Sequence, residues 1–221
     1  MHHTKNTSWG IIDFDDTAGA VFVQQKWLYQ WMLWNGVIAH WTYQEKLRFH
    51  SIADKQIWGF LSNKLRLVVT GASPIAQRFA GRQIGLNFDV KWVVTPPMHW
   101  TVIVWKMPPL ANPTTHISYV DIATKTIHLD TADLEPYHPS NQAGQPSAGF
   151  NAVPHEFLHG ILSGNQTANP DEYLNTSPHI ADTPSIMNIG RELRQRHFAA
   201  VVAELNTLVP NLRFQIVSPI S

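Results

Sequence analysis

The first long apolar stretch of the chain, residues 18–34 (AGAVFVQQKWLYQWMLW), is interrupted by Gln24, Gln25, Lys26 and Gln30. That spacing predicts an amphipathic helix over 18–34, ended by Asn35-Gly36, a residue pair suited to a helix C-terminus. Two more helices are expected, over 43–63 and, after the break Gly71-Ala72-Ser73-Pro74, over 74–81. Residues 1–10 are polar, and residues 1–16 predict a flexible or loosely docked arm.

The pattern then changes. Residues 87–95 (NFDVKWVVT) and 100–107 (WTVIVWKM) are rich in β-branched and aromatic side chains and predict strands, with Pro96-Pro97 between them. A hairpin is expected from strands over 116–122 and 126–130, turned at 123–125. Residues 133–147 predict a loop, 151–164 a short apolar helix, 165–184 a long polar loop, and 189–208 a final helix. No internal repeat or linker divides the chain. The expectation is one α+β domain over 1–221: helices first, a mixed β-sheet next, and two helices to close it.

Composition narrows the function. Sixteen basic residues balance sixteen acidic ones, so no basic excess is available to neutralise phosphates, which argues against a nucleic-acid partner. Cysteine is absent, which removes disulfides, thiolate metal sites and a cysteine nucleophile. No apolar run approaches the ~18 residues of a membrane span. The N-terminus does not lead into a signal-peptide core, so export would need another route or a carrier.

The chemistry concentrates in NAVPHEFLHGILSG, residues 151–164. His155 and His159 are four residues apart, so on a helix both imidazoles face one side and can hold one zinc ion. Glu156 lies beside them, placed to take a proton from a water that zinc makes acidic. This HExxH pattern predicts metal-assisted hydrolysis. Asn151 is the expected N-cap, and Pro154 falls in the first turn, where its missing N–H costs little. The plainer account is that twelve histidines produced the spacing by chance and the pair is a solvated helix face.

Around this motif the chain resembles the zincin metallopeptidases. With the preceding FNAVP and the later PDEY (170–173), SIMN (185–188) and RQRHF (194–198), it is similar to the metallopeptidase effector domains attached to bacterial type VI secretion spike proteins. The likeness covers roughly the last 70 residues. It implies an antibacterial toxin domain, the C-terminal module of a larger secreted protein, carried by a spike and delivered into a target cell, where the periplasm is the expected site of action. The implied substrate is a peptide or protein, including the peptide part of the cell envelope. Within the resemblance Met187 matches the methionine of a Met-turn. The longer metzincin pattern fails, because Leu162 and Asn165 stand where glycine and a third histidine belong.

The third zinc ligand is therefore open. On the final expected helix, Glu204 falls at the edge of an apolar face, where a carboxylate is costly without a partner. A downstream helical glutamate would complete a His-His-Glu site. Glu204 is taken first. Asp171 is second, because related effector-like sequences place an aspartate soon after the second histidine; His179 and Asp182 follow. His197, seven residues before Glu204, would hydrogen-bond the site or an oxyanion. The competing class is a catalytically inactive zincin-fold module that docks a protein or cell-wall partner through its Trp-rich surface. Hairpin residues His116, His128, Asp121 and Asp130 are read as structural.

Overall fold

Side chains alternate inward and outward along residues 20–33, so this stretch is a strand and not the expected helix. Val21, Val23, Gln25, Trp27 and Tyr29 are buried, while the residues between them lie on the other face. The period is 2 and not 3.6. The computed structural model describes residues 1–108, 118–135, 149–165 and 171–219. In chain order the elements are β1 (His2–Asn6), β2 (Ile11–Asp15), β3 (Ala20–Leu33), α1 (Tyr43–Leu61), β4 (Leu65–Gly71), α2 (Pro74–Arg78), β5 (Ile84–Val93), β6 (Trp100–Lys106), β7 (Tyr119–Asp121), β8 (Thr126–Asp130), α3 (Ala152–Leu162), α4 (Ala199–Leu205) and β9 (Leu212–Pro219). Strands, not helices, lead the α+β chain.

Among the described residues nine strands form one mixed sheet in the order β7-β8-β6-β3-β5-β4-β9, with β2 on β3 and β1 on β2. The 14-residue β3 is its spine. One edge of β3 pairs in parallel with β5; the other pairs antiparallel with β2 over its first half and parallel with β6 over its second. The expected flexible arm is the β1–β2 hairpin, paired from His2↔Asp15 to Asn6↔Ile11. Beyond its first residues, β5 leaves β4. There α1 covers part of its edge: Ser62 Oγ, at the helix C-cap, accepts from the Phe88 N–H at 2.8 Å and donates to the Phe88 carbonyl.

Helix α1 matches its expectation and is started by a capping box between Thr42 and Glu45. Its buried residues Phe49, Ala53, Ile57 and Leu61 repeat every four positions and line one face. Strands β5, β6 and β8 lie where β-branched and aromatic residues placed them; only Tyr119–Asp121 of the first hairpin strand is described, and His116 lies outside the described residues. Most of the 133–147 loop lies outside them as well.

The final helix is much shorter than 189–208. A 3₁₀ turn, Gln195–Phe198, leads into α4, and residues 189–194 are irregular. The chain then returns to the sheet as β9, a strand that apolar patterning did not predict. No helix among the described residues is long and apolar enough to cross a membrane.

Helix α3 is pressed onto the sheet. Phe157 is fully buried between Trp27 of β3 and Phe88 of β5, with ring centroids 6.2 and 6.1 Å away. Gly160 faces the sheet so closely that a Cβ there would meet Gln25 Nε2 at 2.7 Å and the Trp100 ring at 3.1 Å. Gln25 itself is buried; it accepts from Trp27 Nε1 and directs its amide at the Phe157 carbonyl. These contacts fix the rotation of α3 and hence the face its histidines present. Phe157→Ala would open a cavity at this contact and is expected to cost about 3–5 kcal/mol. A urea unfolding curve measures the loss; an unchanged midpoint would contradict the packing described.

Candidate metal centre

Residues 152–161 of α3 are all buried, histidines and glutamate included. His155 and His159 are one turn apart on one face, as the spacing predicts. Their Nε2 atoms lie 3.0 Å from each other. Asp171 Oδ1 lies 2.9 Å from both. The three donor atoms form a nearly equilateral triangle.

The tautomer of His155 is fixed from behind. Its Nδ1 lies 2.6 Å from the backbone carbonyl of Ile186, which can only accept, so Nδ1 carries the proton and the neutral ring offers its Nε2 lone pair forward. Phe150 packs against this ring with centroids 4.8 Å apart, and Tyr173 lies parallel to it at 6.5 Å. In the neutral His155 ring an acceptor nitrogen therefore faces a carboxylate oxygen in a buried site. Such a convergence is repulsive unless a cation, a proton or a metal ion, sits within it.

Protonation behaves accordingly. Burial pushes the His155 imidazolium down, but its bond to Asp171 and the charges of Glu156 and Asp171 outweigh it, and its pKa is raised. Burial dominates at His159, which is lowered. Burial alone would raise Asp171, yet hydrogen bonds from the two imidazoles hold it well below the usual carboxylate range. Glu156 is pushed up to about 8, chiefly by burial and further by Asp171 and Asp133, against the pull of His155.

Glu156 is the fourth member. Ligand-type atoms of His155, Glu156 and His159 all lie within 4.8 Å of one another, and the group could hold a metal ion. Glu156 Oε2 is buried without a hydrogen-bond partner among the described residues. Asp171 touches both imidazoles directly, whereas Glu156 stands beside them on the helix with an acceptor unused. That division suits Asp171 as the third ligand and Glu156 as the base.

The donor chemistry can hold a metal ion, and the donor atoms, 2.9–3.0 Å apart, would need to spread slightly to take zinc. Two neutral imidazoles and one carboxylate are a catalytic donor set, and tetrahedral bonds of ~2.0–2.1 Å would separate the donors by roughly 3.3 Å. The orphaned Glu156 oxygen is what a water on such an ion would satisfy.

The first choice for third ligand, Glu204, is corrected. The buried face of α4 is Ala200, Val201 and Leu205, which turns Glu204 toward β1, where Lys5 Nζ meets its carboxylate at 2.5 Å. The other candidates are also placed elsewhere. His179 is exposed, and Asp182 pairs with Arg194 and Arg196. His197 is buried, with Nε2 3.2 Å from Glu172 and Nδ1 accepting from the Arg194 N–H, so both ring nitrogens are engaged away from any oxyanion. Asn151 occupies the N-cap position of α3 but makes no side-chain cap bond. Met187 is buried, and the turn that carries it reaches the site through the Ile186 carbonyl.

Sequence reasoning missed Glu172. Its carboxylate is 7% exposed and is gripped by both Arg196 and His197. The opposite charges of PDEY and RQRHF carried this pairing, but nothing in either stretch says that they meet. No family model, curated protein or solved structure matches the chain.

Proposed function

We propose that the chain is a zinc-dependent hydrolase of peptide bonds, with His155, His159 and Asp171 holding one zinc ion and Glu156 as general base. One observation carries this reading: three ligand atoms converge within 3.0 Å of one another beside a buried carboxylate oxygen that has no partner among the described residues. Zinc, when bound, polarises the scissile carbonyl and lowers the pKa of a water toward neutrality.

Glu156 Oε2 accepts the proton of the attacking water and later returns it to the leaving amine, so that the carboxylate is regenerated. Its burial strengthens its interaction with that water, because little solvent screens it. Ile186 keeps the His155 proton on Nδ1 throughout. Helix α3 packs against β7 and β8, and among the described residues β7 is the terminal strand of the main sheet order, an edge that an extended peptide could pair with near the site.

The resemblance to type VI spike effector domains supplies the biological setting: an antibacterial toxin domain, carried by a spike protein and acting on a cell-envelope peptide. Chelation by 1,10-phenanthroline is expected to remove metal and hydrolysis of fluorescently quenched casein together, and added zinc to restore both. Hydrolysis that persists in metal-free protein would end the proposal. Directing the chain to the periplasm of a bacterial host is expected to arrest growth, and growth unaffected by an active enzyme would exclude the toxin setting.

A further inference from the structure

Asp171 is the one proposed ligand that does not sit on a helix. It opens a turn-rich segment, and its carboxylate touches the two imidazoles and belongs to no regular element. A loop ligand must be ordered before it can bind, and that ordering weakens metal affinity unless another contact has already fixed the backbone.

The next residue is held by contacts of every kind. The Glu172 N–H donates to the Met187 carbonyl at 2.8 Å, and the Glu172 carbonyl accepts from Asn188 Nδ2. Its two carboxylate oxygens take Arg196 Nε and Nη2 at 2.7 and 2.8 Å, a two-pronged pairing, and His197 Nε2 lies 3.2 Å away. Arg196 is in turn steadied by Asp182 Oδ2 at 2.7 Å, and Asp182 by Arg194. Glu172, Ser185, Asn188 and His197 are buried. A buried carboxylate with a fork-shaped partner resists displacement, since breaking the pair strands a charge away from water.

We infer that Glu172, clamped by Arg196 and His197, is a positioning residue that sets Asp171 against His155 and His159. This rests on the zinc-site reading above. Glu172 touches neither imidazole in any contact described; it acts through the backbone it shares with Asp171. The rival route runs from Met187 to the neighbouring Ile186 carbonyl, and so to His155 rather than Asp171.

A double-mutant cycle separates these routes. Zinc affinity is measured by competition with a chromophoric chelator for the intact chain, Glu172→Gln, Asp171→Ala and the double variant. Loss of an outer partner typically costs roughly 10–100-fold in affinity, and that loss is expected for Glu172→Gln. In the Asp171→Ala background the same substitution is expected to change affinity less than about two-fold, because the ligand it positions is gone. The cobalt-substituted Glu172→Gln protein is expected to show the visible bands of the Asp171→Ala protein, a signature that a general loss of stability would not produce.

Equal affinity in Glu172→Gln and the unmodified chain overturns the inference. So does an undiminished loss in the Asp171→Ala background, which would place Glu172 on the His155 route or on the fold at large. If the unmodified chain binds no zinc, the metal-site reading itself has failed, a result distinct from both. Should Glu172→Gln lose its near-ultraviolet circular dichroism, Arg196→Lys carries the cycle: the charge remains, the fork is lost, and a smaller loss in the same direction is expected.

Discussion

Glu156→Gln is expected to cut hydrolysis by orders of magnitude while zinc stays bound. Glutamine has the volume of glutamate and keeps one oxygen, so the tightly packed helix around it need not move. What disappears is the ability to take a proton. General-base catalysis contributes roughly 10²–10⁴-fold, and the fall in kcat should lie in that range. Zinc affinity should change little, because Glu156 touches the water and not the ion in this account. The two possible roles of the chain diverge here: an inactive docking module would be indifferent to the substitution, and its partner binding would survive. Turnover of quenched casein, read beside zinc content, decides between them. Retained turnover with zinc bound would remove Glu156 from the chemistry.

The second large effect concerns the ligand set. Asp171→Ala is expected to remove the carboxylate that bridges the imidazoles and, with it, tight zinc binding. Glu204→Ala should cost only an exposed pairing with Lys5, worth ~0–1 kcal/mol, and leave zinc untouched. Ligand binding stabilises the folded state by mass action, about 4 kcal/mol when zinc is at 1,000 times its Kd. Zinc should therefore raise the unfolding midpoint of the intact chain and of Glu204→Ala, and not that of Asp171→Ala. The opposite pattern would restore the helical glutamate as the ligand.

The parts of the fold that were legible in the sequence are those where one signal stands unopposed. The HExxH spacing together with Phe157 and Ile161 announces α3, and the stretch 43–63 was readable as α1, whose start the Thr42–Glu45 capping box fixes in the structure. Strand β3 was hidden by Gln25. It lies on the inward face, buried, where alternation calls for an apolar residue, and it is tolerated because Trp27 and the Phe157 carbonyl satisfy its amide. With Gln24 and Lys26 on either side, three polar residues in a row masked a period of 2.

The site was half legible for a related reason. Helical periodicity relates His155 to His159, and no periodicity relates either to a residue in a loop. Asp171 is brought to them by the pairing of Glu172 with Arg196, a contact across 24 positions of sequence. Glu204 drew attention because a carboxylate within AAVVAEL needs a partner. It has one, on a strand that had been read as a flexible arm.

Anomalous scattering at the zinc edge, from crystals of the chain grown with zinc, reads the ligand shell itself. One peak per chain is expected, bound by His155 Nε2, His159 Nε2 and Asp171, with an open position facing Glu156. No peak between the two histidines, or a shell closed by four protein ligands, would contradict this reading.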